Sequence, residues 1–372
     1  MTTEEKNILI EEDVVSVASQ WQLMWWRFKK HKAALIATTI VILFYLIAIF
    51  APFLASSNPN ESNVPVAYLP PQTIKFFDGG IRPVVHEVIG SRDPETYKKV
   101  YTTDPNNKLP VKFFVDGYEW KLFGFIKTTK HLYAVEDKEG NIISPYLLGS
   151  DKQGRDLLAR ILIGTRLSLS IGLIGVTFSL ILGIVLGGAS GYYGGWIDTI
   201  VQRIIEITRS IPTIPLWIAL GASVPRDWSV VKIYFAITII ISLFVWTDLG
   251  RVVRGRFLAL REEDFVTAAK LAGASDRRII LRHMVPYFAS HLIASTSLAI
   301  PFMIISETAL SFLGLGLRPP AVSWGVLLQA AQNVQTVALY WWLTLPAVPV
   351  TIAVLAFNFM GDGLRDAADP YG

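Results

Sequence analysis

Residues 251–286 read RVVRGRFLALREEDFVTAAKLAGASDRRIILRHMVP and interrupt a series of strongly apolar segments. Eight basic side chains, from Arg251 to Arg282, stand against four acidic ones. A Lys/Arg excess beside membrane spans marks the cytoplasmic side, so this stretch is expected inside the cell. From Asp264 to Ala272 the spacing is helical. At 100° per residue, Phe265, Ala268, Ala269, Ala272 and Gly273 share one arc of roughly 140°. That face is small apart from one Phe. Small residues let another surface approach a helix backbone closely, and Gly273-Ala274-Ser275 reads as a helix stop before a basic run. The pattern predicts a docking helix, although an ordinary loop helix capped by glycine carries the same Ala-Ala-Gly, so the rest of the chain has to decide.

Composition narrows the classes. Of 372 residues, 52% are hydrophobic, the mean hydropathy is +0.43, and several windows are long enough to cross a bilayer. This is a polytopic membrane protein. The net charge of +4 concentrates in the 251–286 stretch and near the N-terminus, and reports orientation rather than nucleic-acid binding. No basic-aromatic RNA or DNA signature is present. The absence of cysteine excludes disulfides, thiolate metal sites and cysteine nucleophiles, and the five histidines have no metal-ligand spacing. The first apolar run begins near residue 33, is too long for a signal-peptide core and lacks a cleavage site, which predicts a retained anchor.

Read in order, residues 1–32 predict a cytoplasmic tail and an interfacial helix, because Trp21, Trp25, Trp26 and Phe28 alternate with Arg27, Lys29, Lys30 and Lys32. A first transmembrane helix is expected at 33–54. Residues 55–147 contain no spanning run and read as a small β-rich extracytoplasmic insert between the first and second spans. Its β-like runs are Thr73–Phe77, Val111–Val115, Tyr118–Ile126 and His131–Glu136. Turn signals separate them at Asp78-Gly79-Gly80, Asp116-Gly117 and Glu139-Gly140-Asn141. Residues 148–372 are expected to hold five further transmembrane helices, near 167–190, 197–222, 231–249, 286–312 and 337–359, with the loop 251–285 between the fourth and fifth. The stretch between the fifth and sixth is expected to be an outer loop with a short amphipathic helix. Six spans with that loop inside put both termini in the cytoplasm.

Few polar groups interrupt the spans. Asp198, Gln202, Glu206 and Arg209 line one side of the third, whose Pro212 and Pro215 predict a bend. Arg203–Glu206 and Glu206–Arg209 are spaced to pair, and pairing near the cytoplasmic face is favoured over substrate contact. Glu307 is the ionisable residue of the fifth span and is expected to face the bundle interior or a pore.

Thr267-Ala268-Ala269, Gly273 and Val285-Pro286 resemble the EAA loop of ABC importer permeases, with Thr267 and Val285 where that family has Glu and Leu. Asp151, Gly154, Arg155, Asp156 and Arg160 resemble its G-T-D-x-x-G-R-D-x-x-S-R segment. Glu307–Gly316, Pro319-Pro320, Ser323-Trp324-Gly325 and Asn358–Pro370 are similar to signature segments of the C-type permease in oligopeptide/dipeptide importers. The match is loose over 20–54, weak in the insert and close over 148–372. The resemblance implies an α-helical type I ABC importer permease fold with six transmembrane helices in a bacterial plasma membrane. It implies a coupling helix in the cleft of a separate ATPase subunit, with Phe265, Thr267, Ala268, Ala269, Ala272, Gly273 and Pro286 at the contact. The implied partners are a second homologous permease, two ABC ATPase subunits and an extracytoplasmic peptide-binding protein. The chain itself would be non-catalytic and without a cofactor, ATP and Mg²⁺ belonging to the ATPases. Consistent with this, no G-x-x-x-x-G-K-[ST] occurs in it. An ion-coupled transporter would need midplane carboxylates or inverted repeats, to which Glu307 alone hints, and a membrane enzyme would need a nucleophile, metal or acid-base set.

Overall fold

The computed structural model describes residues 19–76, 83–92, 94–95, 99–122, 124–137, 139–225 and 227–368. The tail before residue 19, Phe77, the Asp78-Gly79-Gly80 turn and Asp369-Pro370 lie outside the described residues.

Helix α1 (Gln20–Lys30) begins at a capping box in which Ser19 and Gln22 exchange hydrogen bonds. Its Phe28 is buried against Ala34 and Ala367, while Trp21 and Trp25 are exposed. Helix α2 (Lys32–Leu54) starts where His31 Nδ1 accepts from the Ala34 amide at 3.1 Å. Its 23 residues cover about 35 Å, enough for a hydrocarbon core. Helix α3 runs from Leu157 to Tyr193, ten residues earlier than the sequence suggests, and passes through a π turn at Gly183–Gly187. A bent pair follows, α4 (Gly195–Ser210) and α5 (Thr213–Ser223), which meet at 89°. The break falls at Pro212, whose ring cannot continue the preceding helix.

Helix α6 (Val230–Leu260) extends eleven residues beyond the expected fourth span, so the stretch 251–260 is helix rather than loop. Then come α7 (Asp264–Leu271), a composite helix α8 over 276–287, α9 (Ala289–Phe312), α10 (Trp324–Leu328), α11 (Val334–Leu339) and α12 (Ala347–Ala368). The last helix starts later than expected and carries Asp362, Arg365 and Asp366 in its final turns. Among the described residues, five helices are long and apolar enough to cross a membrane. The bent pair makes a sixth if it is counted as one span.

The core lies where α3, α6, α9 and α12 meet α2, and is built from Leu169, Ile171, Ile237, Ile241, Met303 and Phe357. Helices α3 and α6 touch backbone to backbone: a Cβ at Gly187 would sit 2.3 Å from the Gly250 carbonyl oxygen. Such contacts replace a hydrophobic drive that lipid does not supply. Ser242 closes the same seam by donating to the Gly175 carbonyl at 2.9 Å.

Between α2 and α3 sits one antiparallel sheet in the order β1 (Val84–Arg92), β2 (Lys99–Leu122), β3 (Ile126–Glu136), β4 (Ile142–Ile143). Here the sequence reading needs correction. Val111–Val115 and Tyr118–Leu122 are one strand, and Asp116-Gly117 is an irregularity in its pairing with β3, not a turn. The missing side chain at Gly117 makes room for the His131 ring, whose Cδ2 would lie 2.6 Å from a Cβ there. Gly124 and Phe125 lie in a turn before β3, and Thr73–Phe77 contributes only a bridge from Lys75 to Val84 among its described residues. Neither β1 nor the first half of β2 was read, since Asp104-Pro105-Asn106-Asn107 looks like a turn yet is absorbed as a bulge opposite His86-Glu87.

The sheet is docked on the end of α2. His131 places Nδ1 2.8 Å from the Ala55 carbonyl oxygen and Nε2 3.0 Å from that of Tyr118. A second junction welds the start of α3. Asp156 caps the helix by accepting from the Leu158 amide at 2.9 Å and from the Ser56 hydroxyl at 3.1 Å. Burial pushes the Asp156 carboxyl up, opposed by the hydroxyls of Ser144 and Ser56. Arg160, buried beside it, donates to the Pro59 carbonyl at 2.9 Å.

Candidate functional site

Helix α7 is seated by one residue. Val266 is fully buried among Val253, Phe257, Ile279 and Met284, which fixes the orientation of the other seven. Phe265 and Ala269 pack against the edge of this cluster, and Phe265 stacks on Tyr287 with ring centroids 5.3 Å apart. Thr267, Ala268 and Ala272 face outward, together with Leu271, which is 85% exposed. The small face expected from the sequence is thus divided. Phe265 and Ala269 brace the helix, while Ala268 and Ala272 remain free for contact. Leu271 was missed because it lies outside the arc centred on the alanines. It belongs to the neighbouring arc Thr267, Ala268, Leu271, Ala272, at i, i+1, i+4, i+5, and that spacing was readable.

The helix ends as the glycine suggests. Gly273 has φ +77°, its amide donates to the Lys270 carbonyl at 2.9 Å, and the Ala274 amide donates to that of Ala269 at 3.0 Å. This is the Schellman pattern, and a Cβ at Gly273 would meet nothing within 4 Å. Pro286 is exposed in the last turn of α8, next to Tyr287.

The surface is tied to the rest of the chain at both ends. Tyr192 at the end of α3 donates to Asp276 at 2.8 Å, and Lys270 lies over its ring at 5.4 Å. Arg254 on α6 holds Asp198 on α4 through two bonds of 2.6 Å. Fork-on-fork pairs of this kind fix orientation as well as distance. Helix α7 is thus in contact with α3 through Tyr192 and with α6 through Val253 and Phe257, and α6 in turn holds α4.

The polar side of α4 splits in the same way. Asp198 and Gln202 turn inward, the latter donating to Ser190 at 3.3 Å. Glu206 and Arg209 are exposed. Arg203 pairs with Glu206 at 2.9 Å as expected, but Arg209 pairs with Asp248 on α6 and not with Glu206. Asp248 was missed because nothing in the local sequence links it to a residue 39 positions away. Thr208, Arg209, Phe244, Asp248 and Phe302 surround a cavity of 160 Å³ beside this pair.

Glu307 is in the interior. It is fully buried, and its Oε1 accepts from Ser311 at 2.7 Å and from Ser323 at 2.8 Å. Ser168 next to it accepts from the Trp324 amide at 3.1 Å. The cluster seats Ser323-Trp324-Gly325 between α3 and α9, where Trp324 is wholly buried. The short helix expected at the surface is thus a plug in the bundle.

The chain is similar in sequence to known transport proteins. A family model described as "Binding-protein-dependent transport system inner membrane component" matches residues 179–371, and one described as "N-terminal TM domain of oligopeptide transport permease C" matches residues 19–71. The dipeptide transport system permease protein DppC of Alkalihalophilus pseudofirmus is 32% identical over 371 residues, covering 100% of this chain and 96% of that protein. The oligopeptide transport system permease protein OppC of Haemophilus influenzae is 38% identical over 245 residues, 64% of this chain and 76% of that protein. The glutathione transport system permease protein GsiD of Pectobacterium atrosepticum is 37% identical over 227 residues, 61% and 73% of the two. Among solved structures, an inward-facing methionine ABC transporter covers 56% of this chain and 96% of its own, with 16% identity and a TM-score of 0.40, too low to argue from. With one model spanning more than half of the chain and a relative matched along all of it, the chain belongs to the family of inner membrane components of binding-protein-dependent transport systems.

Proposed function

We propose that this chain is one of two homologous permease subunits in an ABC importer that takes peptides from an extracytoplasmic binding protein and passes them into the cytoplasm. Hydrolysis of Mg·ATP occurs on two separate ATPase subunits, and this chain is non-catalytic. In this reading residues 1–32 lie on the cytoplasmic face of a bacterial plasma membrane, 33–54 form the first transmembrane helix and 55–147 the extracytoplasmic insert. Residues 148–372 form the permease core, with both termini inside.

The observation that carries the reading is helix α7. It is held from behind by Val266, capped by Gly273, and presents Thr267, Ala268, Leu271 and Ala272 to a partner not contained in the chain. Its neighbour Tyr192 and the Arg254–Asp198 fork supply a mechanical route into the spans. Closure of the ATPases around α7 would favour one of two arrangements of the bundle, and the shift extends only as far as the ATPases bind the two arrangements differently. Glu206, Arg209 and Asp248 support the second half of the reading. Ionisable groups exposed in apolar segments are costly against lipid and belong against protein or water, as the homologous subunit or the pathway would provide.

The experiment is Ala268→Trp in the assembled transporter. Ala268 is exposed, so the variant should insert and fold like the wild type while ATP-driven peptide uptake in proteoliposomes is lost. Full uptake by Ala268→Trp would rule out α7 as the coupling helix.

A further inference from the structure

A cavity of 420 Å³ opens at the start of α6, beside the loop that joins α9 to α10. Trp228, Gly314, Arg318, Pro319, Pro320 and Gln329 line it. Its volume falls within the range of small-ligand sites, about 300–1,000 Å³. Arg318 is the one charged side chain among the cavity's lining residues. Its Nε and Nη1 atoms are buried, and neither has a hydrogen-bond partner among the described residues. Arg318 as a whole is half-buried; two buried guanidinium nitrogens given no acceptor are unfavourable, whereas an anionic oxygen reaching the guanidinium gains a charge-assisted bond.

The rest of the cavity limits what that anion can be. Gln329 has its amide nitrogen engaged, donating to the Ser311 carbonyl at 2.6 Å, which leaves its carbonyl oxygen to accept. Trp228 and the two prolines supply apolar wall. One cation, one acceptor and an apolar side match the end of a peptide: a carboxylate, the last N–H and one side chain. Peptides of different sequence share only their termini and backbone, so such a site holds them without reading their side chains. The position suits entry. Helix α6 places the cavity at one end and leads to α7 from the other, 31 residues or about 46 Å away.

Resting on the peptide-importer reading, we propose that Arg318 binds the C-terminal carboxylate of a peptide as it passes from the binding protein into the pathway. Gln329 holds the adjacent N–H, and Trp228 covers the last side chain.

The test uses the complete transporter with its partner permease and ATPases, purified into zwitterionic lipid without the binding protein. Trialanine and trialanine C-terminal amide are compared as probes of thermal stability. Trialanine should raise the unfolding midpoint and the amide should not. Arg318→Gln should abolish the rise, and Arg318→Lys, which keeps the charge but not the fork, should weaken apparent binding by about tenfold. Should Arg318→Gln lower the midpoint without ligand, the lysine variant and the acid–amide comparison on wild-type protein decide. Equal shifts from acid and amide, or an undiminished shift in the variants, overturn the proposal and leave the anion to an acidic side chain of a partner subunit. No shift with wild-type protein also overturns it. Uptake of trialanine in the same proteoliposomes, supplied with binding protein, would then show that the importer reading itself survives.

Discussion

Glu307 and two glycines show what single residues do here. Glu307 anchors Ser311 and Ser323 through one oxygen, and so joins the end of α9 to the plug that carries Trp324. Glu307→Gln keeps an acceptor for both hydroxyls and should leave the thermal midpoint of the detergent-purified protein nearly unchanged. Glu307→Ala strands them and should cost about 1–3 kcal/mol for each hydroxyl left unpaired. Equal loss from both variants would mean that the charge, not the acceptor, matters. Gly273 and Gly154 both have φ near +75°, but their surroundings differ. At Gly273 nothing lies within 4 Å, so Ala should cost only the left-handed conformation, about 1–2 kcal/mol, and Asn less. At Gly154 a Cβ would be 1.7 Å from the Asn63 carbonyl oxygen, so Ala must displace the segment that follows α2 and should lower the midpoint much further. The first glycine was legible as a helix stop. The second was legible only as a member of a motif, because its contact is 91 residues away in the chain.

At the scale of elements, the long apolar segments are legible from their own composition, whereas strand pairing and ion pairs that depend on a distant partner are not. The apolar runs and Pro212 locate α2, α3, α6, α9 and the bend between α4 and α5, since length and hydropathy are properties of the segment itself. Helix ends were misplaced at 157, 260 and 368, where charged residues remain helical because other helices or water satisfy them. In the sheet, Asp116-Gly117 has the composition of a turn, yet the His131 ring opposite Gly117 makes it an irregularity within a strand. The pair Arg209–Asp248 joins α4 to α6, and at an exposed position it should add under about 1 kcal/mol to stability. Its consequence should appear in transport instead. Arg209→Asp is expected to reduce ATP-driven uptake and Asp248→Arg to restore it in the double variant. Absence of restoration would separate the two residues functionally.

For the whole molecule, partition of labour makes two expectations. Purified free of other subunits, the chain should hydrolyse no ATP, because it lacks the glycine cradle that holds phosphates. In the assembled transporter, replacing 57–143 by a Gly/Ser linker removes the His131 contact with Ala55 and the Arg160 contact with Pro59, but no helix of the bundle. Insertion should survive and transport from the binding protein should fall; unchanged transport would make the insert a spacer. Sequence by itself determined that the chain is a polytopic membrane protein, that a basic loop with a glycine-capped helix follows the fourth long apolar segment, and which family it resembles. Those properties are written in runs of contiguous residues, where hydropathy, charge and helical period need no partner. Only the tertiary structure decided which side of α7 faces outward, that Glu307 holds an internal plug, that Arg209 pairs with Asp248, and that two buried nitrogens of Arg318 lack an acceptor among the described residues. Each of these depends on groups brought together from separate helices, and residue order carries no record of which groups will meet.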